Sequence, residues 1–419
     1  MMKNTVVLLL MLFSTMNGWG QVNPTTALLG AWWGKLQAGA IPLTLVLHLE
    51  QADGYVTAAL DSPDQAAKGI SALKEYLSDD SVALNIEAIG ARFRAKLVDG
   101  QLKGTFVQRG FSFPLVLKPG EPVQRRPQQP APPYPYATEE VTFCNASDSA
   151  TLAGTLTWPA GYDKRSGQQP TVVLMVTGSG QQNRDEEIFG HKPFLVIADY
   201  LARQGIASLR YDDRATGASE GGELFHATTA DFMRDAAAGV DFLRRTGAFG
   251  KIGILGHSEG GAIAFMLGAQ QKVDYVVSMA APGVKGDTLL TAQGNRIRAL
   301  SLQPNSMTVE QYRQMNAVRK NPWLKWFVDY DPADDIRNTR CPVFALNGDR
   351  DCQVIAKQNL SAIRQLLPPS AKNLVKEYPS LNHLFQHCTI GLPSEYGQIE
   401  ETIATEVLSD IAQWINSIK

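Results

Sequence analysis

The sequence predicts an α/β protein whose mostly parallel sheet is covered by helices on both faces, preceded by a small antiparallel all-β domain. Residues 24–118 alternate apolar and other residues with a period of two, and residues 119–137 are rich in proline. From 138 to 419, apolar runs of strand length alternate with helical patterns. Because a period of two marks half-buried strands and strand–helix alternation marks parallel sheets, the fold class changes at the proline-rich segment.

The first residues have the pattern of an export signal. Lys3 precedes a short apolar run over 6–13, and Gly18 and Gly20 are the small residues expected before a cleavage site. The run is shorter than the roughly 20 residues that a membrane-spanning helix needs. We therefore predict a signal peptide over 1–20 and a secreted or periplasmic protein without stable membrane insertion. An uncleaved anchor is the alternative.

Composition limits the classes of function. The net charge is −2 and the pI is about 6.3, so no basic excess exists to neutralise phosphates, and nucleic-acid binding is not expected. The four cysteines contain no Cys-x-x-Cys pair that would indicate zinc, so neither a metal nor a cofactor is predicted. Nothing in the sequence predicts an oligomeric state.

The segment 24–118 is predicted to be an antiparallel meander that closes into a small barrel or curled sheet. Short runs with apolar residues at alternate positions recur along it, at 41–49, 82–86, 93–97, 102–106 and 113–117. Glycine-containing turns such as Asp53-Gly54 and Asp99-Gly100 separate these runs, which is typical of hairpins. The prolines of 119–137 forbid a helix there and predict an extended linker between two domains.

The segment 138–419 is predicted to be the α/β domain. Its apolar runs, which we interpret as buried strands, are 172–176, 207–210, 252–255, 275–278, 343–346 and 374–377. The helical patterns between and after them are 194–203, 231–245, 262–269 and 400–418. In such sheets the functional site lies beyond the carboxyl ends of the strands, so the loops that follow these runs carry the candidate residues.

The pattern Gly-x-Ser-x-Gly occurs twice, at 217–221 and at 256–260. A nucleophile on this pattern needs a strand that ends at the first glycine and a helix that begins just after the serine, since that turn holds the hydroxyl clear of the backbone. Ser258 follows the apolar run 251–255 and precedes a helical run. It is therefore the predicted nucleophile. Ser219 lies in a polar loop and is predicted to cap a turn.

The predicted general base is His383. A serine hydroxyl needs an imidazole to take its proton and a carboxylate to orient that imidazole, and both follow the nucleophile along the chain. Only His383 and His387 lie after Ser258, and His383 is in the loop directly after the last predicted strand. His387 is the alternative. The acid comes from the loop after the preceding strand, where Asp349 and Asp351 compete and the residues alone do not separate them.

Two backbone N–H groups are needed to receive the negative charge of a tetrahedral intermediate. One is predicted to come from Glu259, the residue after the nucleophile. The other is predicted to come from the glycine-rich loop 177–182, which follows the buried run 172–176. Within that loop Ser179 is the first choice and Gln181 the second.

Taken together, these motifs resemble those of the α/β-hydrolase superfamily, and specifically a bacterial carboxylesterase branch of it. The resemblance covers about residues 150–419 and rests on five ordered motifs, 178–185, 210–219, 256–261, 347–351 and 382–383. In that branch the acid is the aspartate three residues after the glycine, which corresponds to Asp351. The resemblance implies an α/β-hydrolase fold and the catalytic set Ser258, Asp351 and His383. Ala215 departs from the branch, which usually has glycine there.

The position of the segment 284–340, between two predicted strands, corresponds to the cap that this fold places over its nucleophile. Trp323, Trp326 and Phe327 lie in it. These aromatic side chains either line an acyl pocket or attach the cap to the body of the domain.

Two cysteines flank the predicted acid and base loops, which we expect to be neighbours. An exported protein permits a disulfide between Cys352 and Cys388, and such a bridge would hold the two loops together. Two buried free thiols are the alternative.

The resemblance implies a serine carboxylesterase that cleaves small-molecule acyl esters through an acyl-enzyme at Ser258. An exported serine peptidase of amino- or dipeptidase type on the same fold is the second hypothesis. A non-catalytic protein that binds a ligand in the β domain is the third, and the complete ordered set of nucleophile, acid and base argues against it.

Overall fold

A computed structural model of the chain describes residues 26–39, 41–52, 55–65, 67–301, 305–317 and 320–418. The signal peptide predicted over 1–20 lies outside the described residues. The chain divides into two units, one that contains a β-barrel and one that contains a mostly parallel sheet. None of the helices in the described ranges is both long and apolar enough to cross a membrane.

The first unit is a closed barrel of antiparallel strands. Its strands are β1 Gly30–Leu36, β2 Leu43–Ala52, β3 Tyr55–Ser62, β4 Ala67–Leu77, β5 Ser81–Ile86, β6 Ala91–Val98, β7 Gln101–Gln108 and β8 Phe111–Pro119. The ladder closes where β1 pairs with β8. Side chains alternate between interior and exterior, as β5 shows with Val82, Leu84 and Ile86 fully buried. The predicted barrel-like β domain is therefore confirmed.

The second unit is built on a nine-stranded sheet. Its strands are β9 Thr138–Asn145, β10 Ala150–Thr157, β11 Val172–Val176, β12 Ala207–Tyr211, β13 Glu220–Gly221, β14 Ile252–His257, β15 Tyr275–Met279, β16 Val343–Gly348 and β17 Leu374–Tyr378. The main path runs β13-β10-β12-β11-β14-β15-β16-β17, and β9 pairs with β10. The pairs from β12 to β17 are parallel, and those of β10 with β9, β12 and β13 are antiparallel.

Helices cover both faces of this sheet. They are α1 Pro193–Arg203, α2 Thr229–Thr246, α3 Glu259–Ala269, α4 Gly286–Leu300, α5 Val309–Ala317, α6 Pro322–Phe327, α7 Ala333–Asn338, α8 Ala356–Leu366, α9 Pro393–Tyr396 and α10 Thr405–Ser417. Alternate residues of β11 point into two separate hydrophobic cores, one on each face of the sheet. Leu174 belongs to the core that includes residues of α2, α3 and α8, and Val173 belongs to the core that includes residues of α1 and α10. The predicted α/β-hydrolase fold, with helices on both faces, is confirmed.

The structure differs from the predicted elements at several places in this unit, among them β13, α8 and α9, which were not predicted. The strands β9 and β10 were not predicted, and they extend the sheet beyond its parallel part. The last helix begins at Thr405 rather than at residue 400. The reason is that the backbone N–H of Ala404, which in a helix from residue 400 would donate to the carbonyl oxygen of that residue, donates to the Phe385 carbonyl oxygen at 2.8 Å instead.

A buried histidine makes stability depend on pH. His191 is fully buried, with one ring nitrogen 2.9 Å from the Thr402 hydroxyl and the other 2.9 Å from the Tyr396 carbonyl oxygen. Burial, and then the charge of Arg126, lower its pKa from 6.5 to about 4. As the pH falls through this interval, the unfolded chain binds a proton that the folded chain does not, so the free energy of unfolding falls.

We expect the wild-type chain to lose up to about 3 kcal/mol more stability than a His191→Gln variant between pH 7 and pH 4. Urea unfolding of both proteins across this range measures the difference. Identical pH dependence of the two proteins would contradict the assignment to His191.

Candidate active site

Ser258 lies at a sharp turn between β14 and α3. Its backbone dihedral angles are φ 55° and ψ −117°, a region that residues with a side chain rarely adopt. The backbone N–H of Ser258 donates to the Met279 carbonyl oxygen at 2.8 Å, which ties the turn to β15. This is the geometry of a nucleophile elbow, in which the serine side chain stands clear of the strand that precedes it.

Glycine is required on both sides of this serine because the backbone approaches closely. A Cβ atom at Gly256 would lie 1.9 Å from the Gly260 carbonyl oxygen, and one at Gly260 would lie 2.1 Å from the Val176 carbonyl oxygen. Both contacts are with backbone atoms, which cannot rotate away as a side chain does. The spacing of the glycines in 256–260 therefore follows from the packing of α3 against the sheet.

We expect Gly256→Ala to lower the free energy of unfolding by at least about 3 kcal/mol, because the added methyl group overlaps the backbone. The matched control is Gly39→Ala, where nothing lies within 4 Å of the added carbon. The midpoints of urea unfolding measure both effects. A Gly256→Ala protein as stable as the control would contradict the described geometry of the elbow.

Ser258 opens onto a cavity of about 290 Å³. The residues proposed from the sequence that line it are Ser179, Ser258, Glu259 and His383. Most of its remaining wall is apolar or aromatic, including Ile188, Phe189, Leu289, Leu290, Trp323, Phe327, Val354, Leu384 and Tyr396. The structure thus brings the predicted nucleophile, the predicted base and two predicted oxyanion donors to one cavity.

A hydrogen bond joins the predicted base to one of the two candidate acids. Asp351 Oδ2 lies 2.7 Å from Nδ1 of His383, and both side chains are buried. The other carboxylate oxygen of Asp351 accepts the backbone N–H groups of Gln353 and Val354 at 2.7 and 2.8 Å. Nε2 of His383 is thereby left for the serine, although no hydrogen bond joins it to the Ser258 hydroxyl in the described part of the chain.

The alternative acid, Asp349, and the alternative base, His387, lie outside the cavity. Asp349 is exposed, and its carboxylate accepts the backbone N–H of Ser380 at 2.7 Å. His387 is exposed and contacts the carboxylates of Glu401 and Glu406, at 2.8 and 3.2 Å. Neither residue is among those that line the cavity.

The glycine-rich loop after β11 supplies one of its two candidate donors to the cavity. Ser179 lines the cavity, whereas Gln181, the second choice, does not. The next residue, Gln182, lines the cavity, and its backbone is held by Asp213, since its N–H donates to the Asp213 carboxylate at 2.9 Å and its carbonyl oxygen accepts the N–H of Asp213. Gln181 instead directs its side chain toward the Thr216 hydroxyl, at 3.4 Å.

Glu259 combines a backbone N–H at the start of a helix with a buried side chain. As the first residue of α3, its N–H has no partner within the helix, and the positive end of the helix dipole favours an anion there. Its carboxyl group turns away and accepts hydrogen bonds from the Thr229 hydroxyl at 2.6 Å and the Trp323 indole at 2.8 Å. Burial raises the pKa of this carboxyl group, which favours its uncharged form beside the site.

The aromatic residues of the segment between β15 and β16 divide into two groups. Trp323 and Phe327 line the cavity and stack on each other with their ring centroids 5.0 Å apart. Trp326 instead stacks on Tyr330, also at 5.0 Å. Trp323 and Phe327 therefore line the cavity as the first interpretation has it, whereas the Trp326 stack lies within the segment itself. The hydrogen bond from Trp323 to Glu259 was not anticipated, since no local pattern relates residues 64 positions apart.

Ser219, in the second Gly-x-Ser-x-Gly match, is a buried structural hydroxyl. It donates to the Asp212 carbonyl oxygen at 2.7 Å and accepts the Ala153 N–H at 2.9 Å. The same loop contains Ala215, which has a φ of 53°. Such a positive φ is the conformation that glycine adopts without strain, and it accounts for the glycine that the related sequences usually have there.

The proposed bridge between Cys352 and Cys388 is not formed. Both thiols are free, and each contacts a backbone carbonyl oxygen, that of Gly391 at 3.1 Å for Cys352 and that of Ser380 at 3.5 Å for Cys388. Burial raises the pKa of each thiol to about 12, so both are protonated at neutral pH. The backbone contacts satisfy the two thiols separately.

Two further buried residues at the site, Glu186 and His257, were not predicted. One oxygen of Glu186 lies 2.9 Å from Nδ1 of His257, which precedes the predicted nucleophile. The only sequence signal for His257 is that position, and Glu186 lies 71 residues away. In the described ranges no group of three or more histidine, cysteine, aspartate or glutamate residues is arranged to hold a metal ion.

Comparisons with known proteins agree with this architecture. The family model described as Hydrolase_4, Serine aminopeptidase, S33, matches residues 192–383. The chain is 28% identical over 281 residues to Esterase EstD of Thermotoga maritima, an overlap that spans 63% of this chain and 65% of that relative. The described residues have the α/β-hydrolase fold, and the chain is similar both to a family described as aminopeptidases and to a protein described as an esterase.

The chain is also similar to several solved structures. The Pyrococcus furiosus esterase Pf2001 matches with a TM-score of 0.44 and 17% identity, over 67% of this chain and 93% of that one. Est1E from Butyrivibrio proteoclasticus with bound ferulic acid matches with a TM-score of 0.46 and 16% identity, over 66% of this chain and 99% of that one.

Proposed function

We propose that this chain is a serine carboxylesterase that hydrolyses small acyl esters through an acyl-enzyme at Ser258. The observation that carries the proposal is the buried 2.7 Å hydrogen bond between Asp351 and His383, at the wall of the cavity onto which Ser258 opens. A buried carboxylate that holds one ring nitrogen of a histidine fixes the tautomer whose other nitrogen is free to accept a proton.

In the first half of the reaction the Ser258 oxygen forms a bond to the ester carbonyl carbon, and its proton moves to Nε2 of His383. The negative charge that develops on the carbonyl oxygen is received by the backbone N–H groups of Ser179 and Glu259. When the intermediate collapses, the bond to the alcohol oxygen breaks and the alcohol leaves with the proton from His383. The acyl group remains on Ser258.

In the second half, water replaces the alcohol. His383 takes a proton from the water while the water oxygen attacks the acyl carbonyl carbon, and the same two N–H groups receive the charge. The bond to the Ser258 oxygen then breaks, His383 returns the proton to that oxygen, and the carboxylic acid leaves. Asp351 stabilises the imidazolium form of His383 in both halves without itself becoming protonated.

The cavity supports a small or medium acyl group with an apolar body. Its wall is formed by leucine, isoleucine, valine and aromatic side chains, and its volume of about 290 Å³ is at the lower end of ligand cavities. Among the described residues neither Lys nor Arg lines the cavity, and the acidic and histidine residues of its wall are Glu186, His257, Glu259 and His383.

A substrate panel with an active-site label tests the proposal. We expect turnover of p-nitrophenyl acetate and butyrate, and one equivalent of a fluorophosphonate label on the peptide that contains Ser258. The match to a family described as serine aminopeptidases favours one second candidate, a peptidase. Cleavage of aminoacyl anilides without cleavage of esters would establish that candidate instead. Failure of the label to react would favour a non-catalytic binding protein.

We also propose that the enzyme acts after export, on the basis of the pattern over residues 1–20. N-terminal sequencing of the mature protein, produced in a host with a periplasm, tests this. A mature chain that begins near Gln21 in the periplasmic fraction is the expected result, and an unprocessed chain in the cytoplasm would overturn the proposal.

A further inference from the structure

Glu186 and His257 form a second acid–histidine pair beneath the proposed triad. The Glu186 side chain is 3% exposed and that of His257 is 7% exposed. Oε1 of Glu186 lies 2.9 Å from Nδ1 of His257, and Nε2 of His257 lies 2.9 Å from the carbonyl oxygen of His383. The imidazole rings of His257 and His383 are 4.7 Å apart, centroid to centroid.

The same carboxylate also holds the loop that carries the proposed oxyanion donor. Oε1 of Glu186 accepts the backbone N–H of Gly178 at 3.1 Å, one residue before Ser179. Gly178 itself packs against the nucleophile, since a Cβ atom there would lie 3.2 Å from the Ser258 Cβ. Glu186 adopts a φ of 53°, a conformation that is costly for a residue with a side chain. A strained and buried carboxylate therefore connects the oxyanion loop to the base loop.

The hydrogen-bond partners indicate the charge of this pair. The partner of Nε2 in His257 is a backbone carbonyl oxygen, which only accepts, so Nε2 carries a hydrogen. One further hydrogen lies between Nδ1 and Oε1 of Glu186, and the Gly178 N–H that this oxygen also accepts favours the ionised carboxylate. We therefore assign that hydrogen to Nδ1, which makes His257 an imidazolium ion that the Glu186 carboxylate neutralises.

We propose that the Glu186–His257 ion pair is a positioning pair that sets both the oxyanion loop and the base loop of this hydrolase. The catalytic part of this inference rests on the proposed function, because the pair, whose two residues also line the cavity, acts on the reaction through Ser179 and His383. Neutralisation by Glu186 matters because an uncompensated cation beside His383 would oppose the proton that His383 must accept. The raised pKa of His257, which burial opposes and Glu186 favours, agrees with the imidazolium form.

The charged and titratable groups that face His257 are few. They are Glu186, on the loop before α1, and the pair of His383 and Asp351 on the loops after β17 and β16. In Glu186→Gln the amide cannot neutralise an imidazolium, so we expect His257 to lose its Nδ1 proton. The amide nitrogen then donates to Nδ1, and Gly178 loses its acceptor.

Selective ¹⁵N labelling of histidine tests the charge of His257 without reference to activity. We expect the ring signals of His257, assigned with a His257→Gln variant, to show both nitrogens protonated at pH 7 in the wild-type protein. In Glu186→Gln we expect a neutral ring at pH 7. A wild-type ring that is neutral at pH 7 would overturn the proposal, whatever the chain hydrolyses.

Kinetics test the positioning role. We expect Glu186→Gln to lower kcat by about 10- to 100-fold with KM changed by less than about threefold, because the oxyanion donor is displaced while the cavity wall is retained. The matched control is Glu187→Gln, which removes the neighbouring exposed carboxylate and its contact with Lys192, and which we expect to leave kcat unchanged. An unchanged kcat in Glu186→Gln, or an equal fall in both variants, would overturn the positioning role.

Discussion

Ser258→Ala is expected to lower kcat/KM for p-nitrophenyl acetate by at least about 10,000-fold, because no other group at the cavity replaces the covalent nucleophile. The fluorophosphonate label should also be lost from this variant. Activity that remains arises from the oxyanion donors and from binding alone. Steady-state kinetics with the purified variant measure the loss, and thermal unfolding confirms that the protein is folded.

The chain contains its own control for this experiment. Ser219 lies in the same five-residue pattern, but its hydroxyl is buried between the Asp212 carbonyl oxygen and the Ala153 N–H. We expect Ser219→Ala to lose about 1–2 kcal/mol of stability and to keep kcat/KM within about threefold of wild type. Loss of activity in Ser219→Ala comparable with that in Ser258→Ala would contradict the assignment of the nucleophile.

Asp351→Asn is expected to lower kcat by about 10,000-fold, because an asparagine amide donates to Nδ1 of His383 and stabilises the tautomer whose Nε2 already carries a proton. The Ser258 proton then has no acceptor. We expect KM to change little, since the Asp351 side chain does not line the cavity. Kinetics with p-nitrophenyl butyrate measure the effect.

Asp349→Asn is the matched control, two residues away in the same loop. Its carboxylate accepts only the Ser380 N–H at the surface, and an asparagine oxygen accepts that bond as well. We expect kcat within about threefold of wild type for this variant. If Asp349→Asn abolished activity and Asp351→Asn did not, the two acids would have to exchange roles.

The sequence predicts the elbow well because its requirements are local. The run of β14, the glycines and the start of α3 all fall within about twenty residues, so the geometry of Ser258 follows from short-range constraints. The barrel and the parallel sheet are predicted for a similar reason, since a period of two and unbroken apolar runs are properties of single strands. The sequence pattern alone did not distinguish Asp351 from Asp349 as the acid of the catalytic set. The resemblance to the carboxylesterase branch favoured Asp351.

Long-range polar contacts could not be predicted. The choice between Asp349 and Asp351 depends on which carboxylate reaches His383, and that distance is set by the packing of the β16 and β17 loops. Glu186 was not predicted because no local sequence pattern indicates its contact with His257, which lies 71 residues away. Gln181, the second choice for an oxyanion donor, does not line the cavity, and its side chain contacts the Thr216 hydroxyl, 35 residues away. In each case the partner comes from another strand's loop.

The most direct test of the account is a crystal structure of the enzyme phosphonylated by an alkyl fluorophosphonate. We expect the phosphorus bonded to Ser258 Oγ and Nε2 of His383 within about 2.6–3.2 Å of Oγ or of the oxygen at the leaving-group position. One phosphonyl oxygen should lie within hydrogen-bond distance of the N–H groups of Ser179 and Glu259. A label on any other residue, or a His383 ring beyond hydrogen-bond reach of every one of these oxygens, would contradict the account.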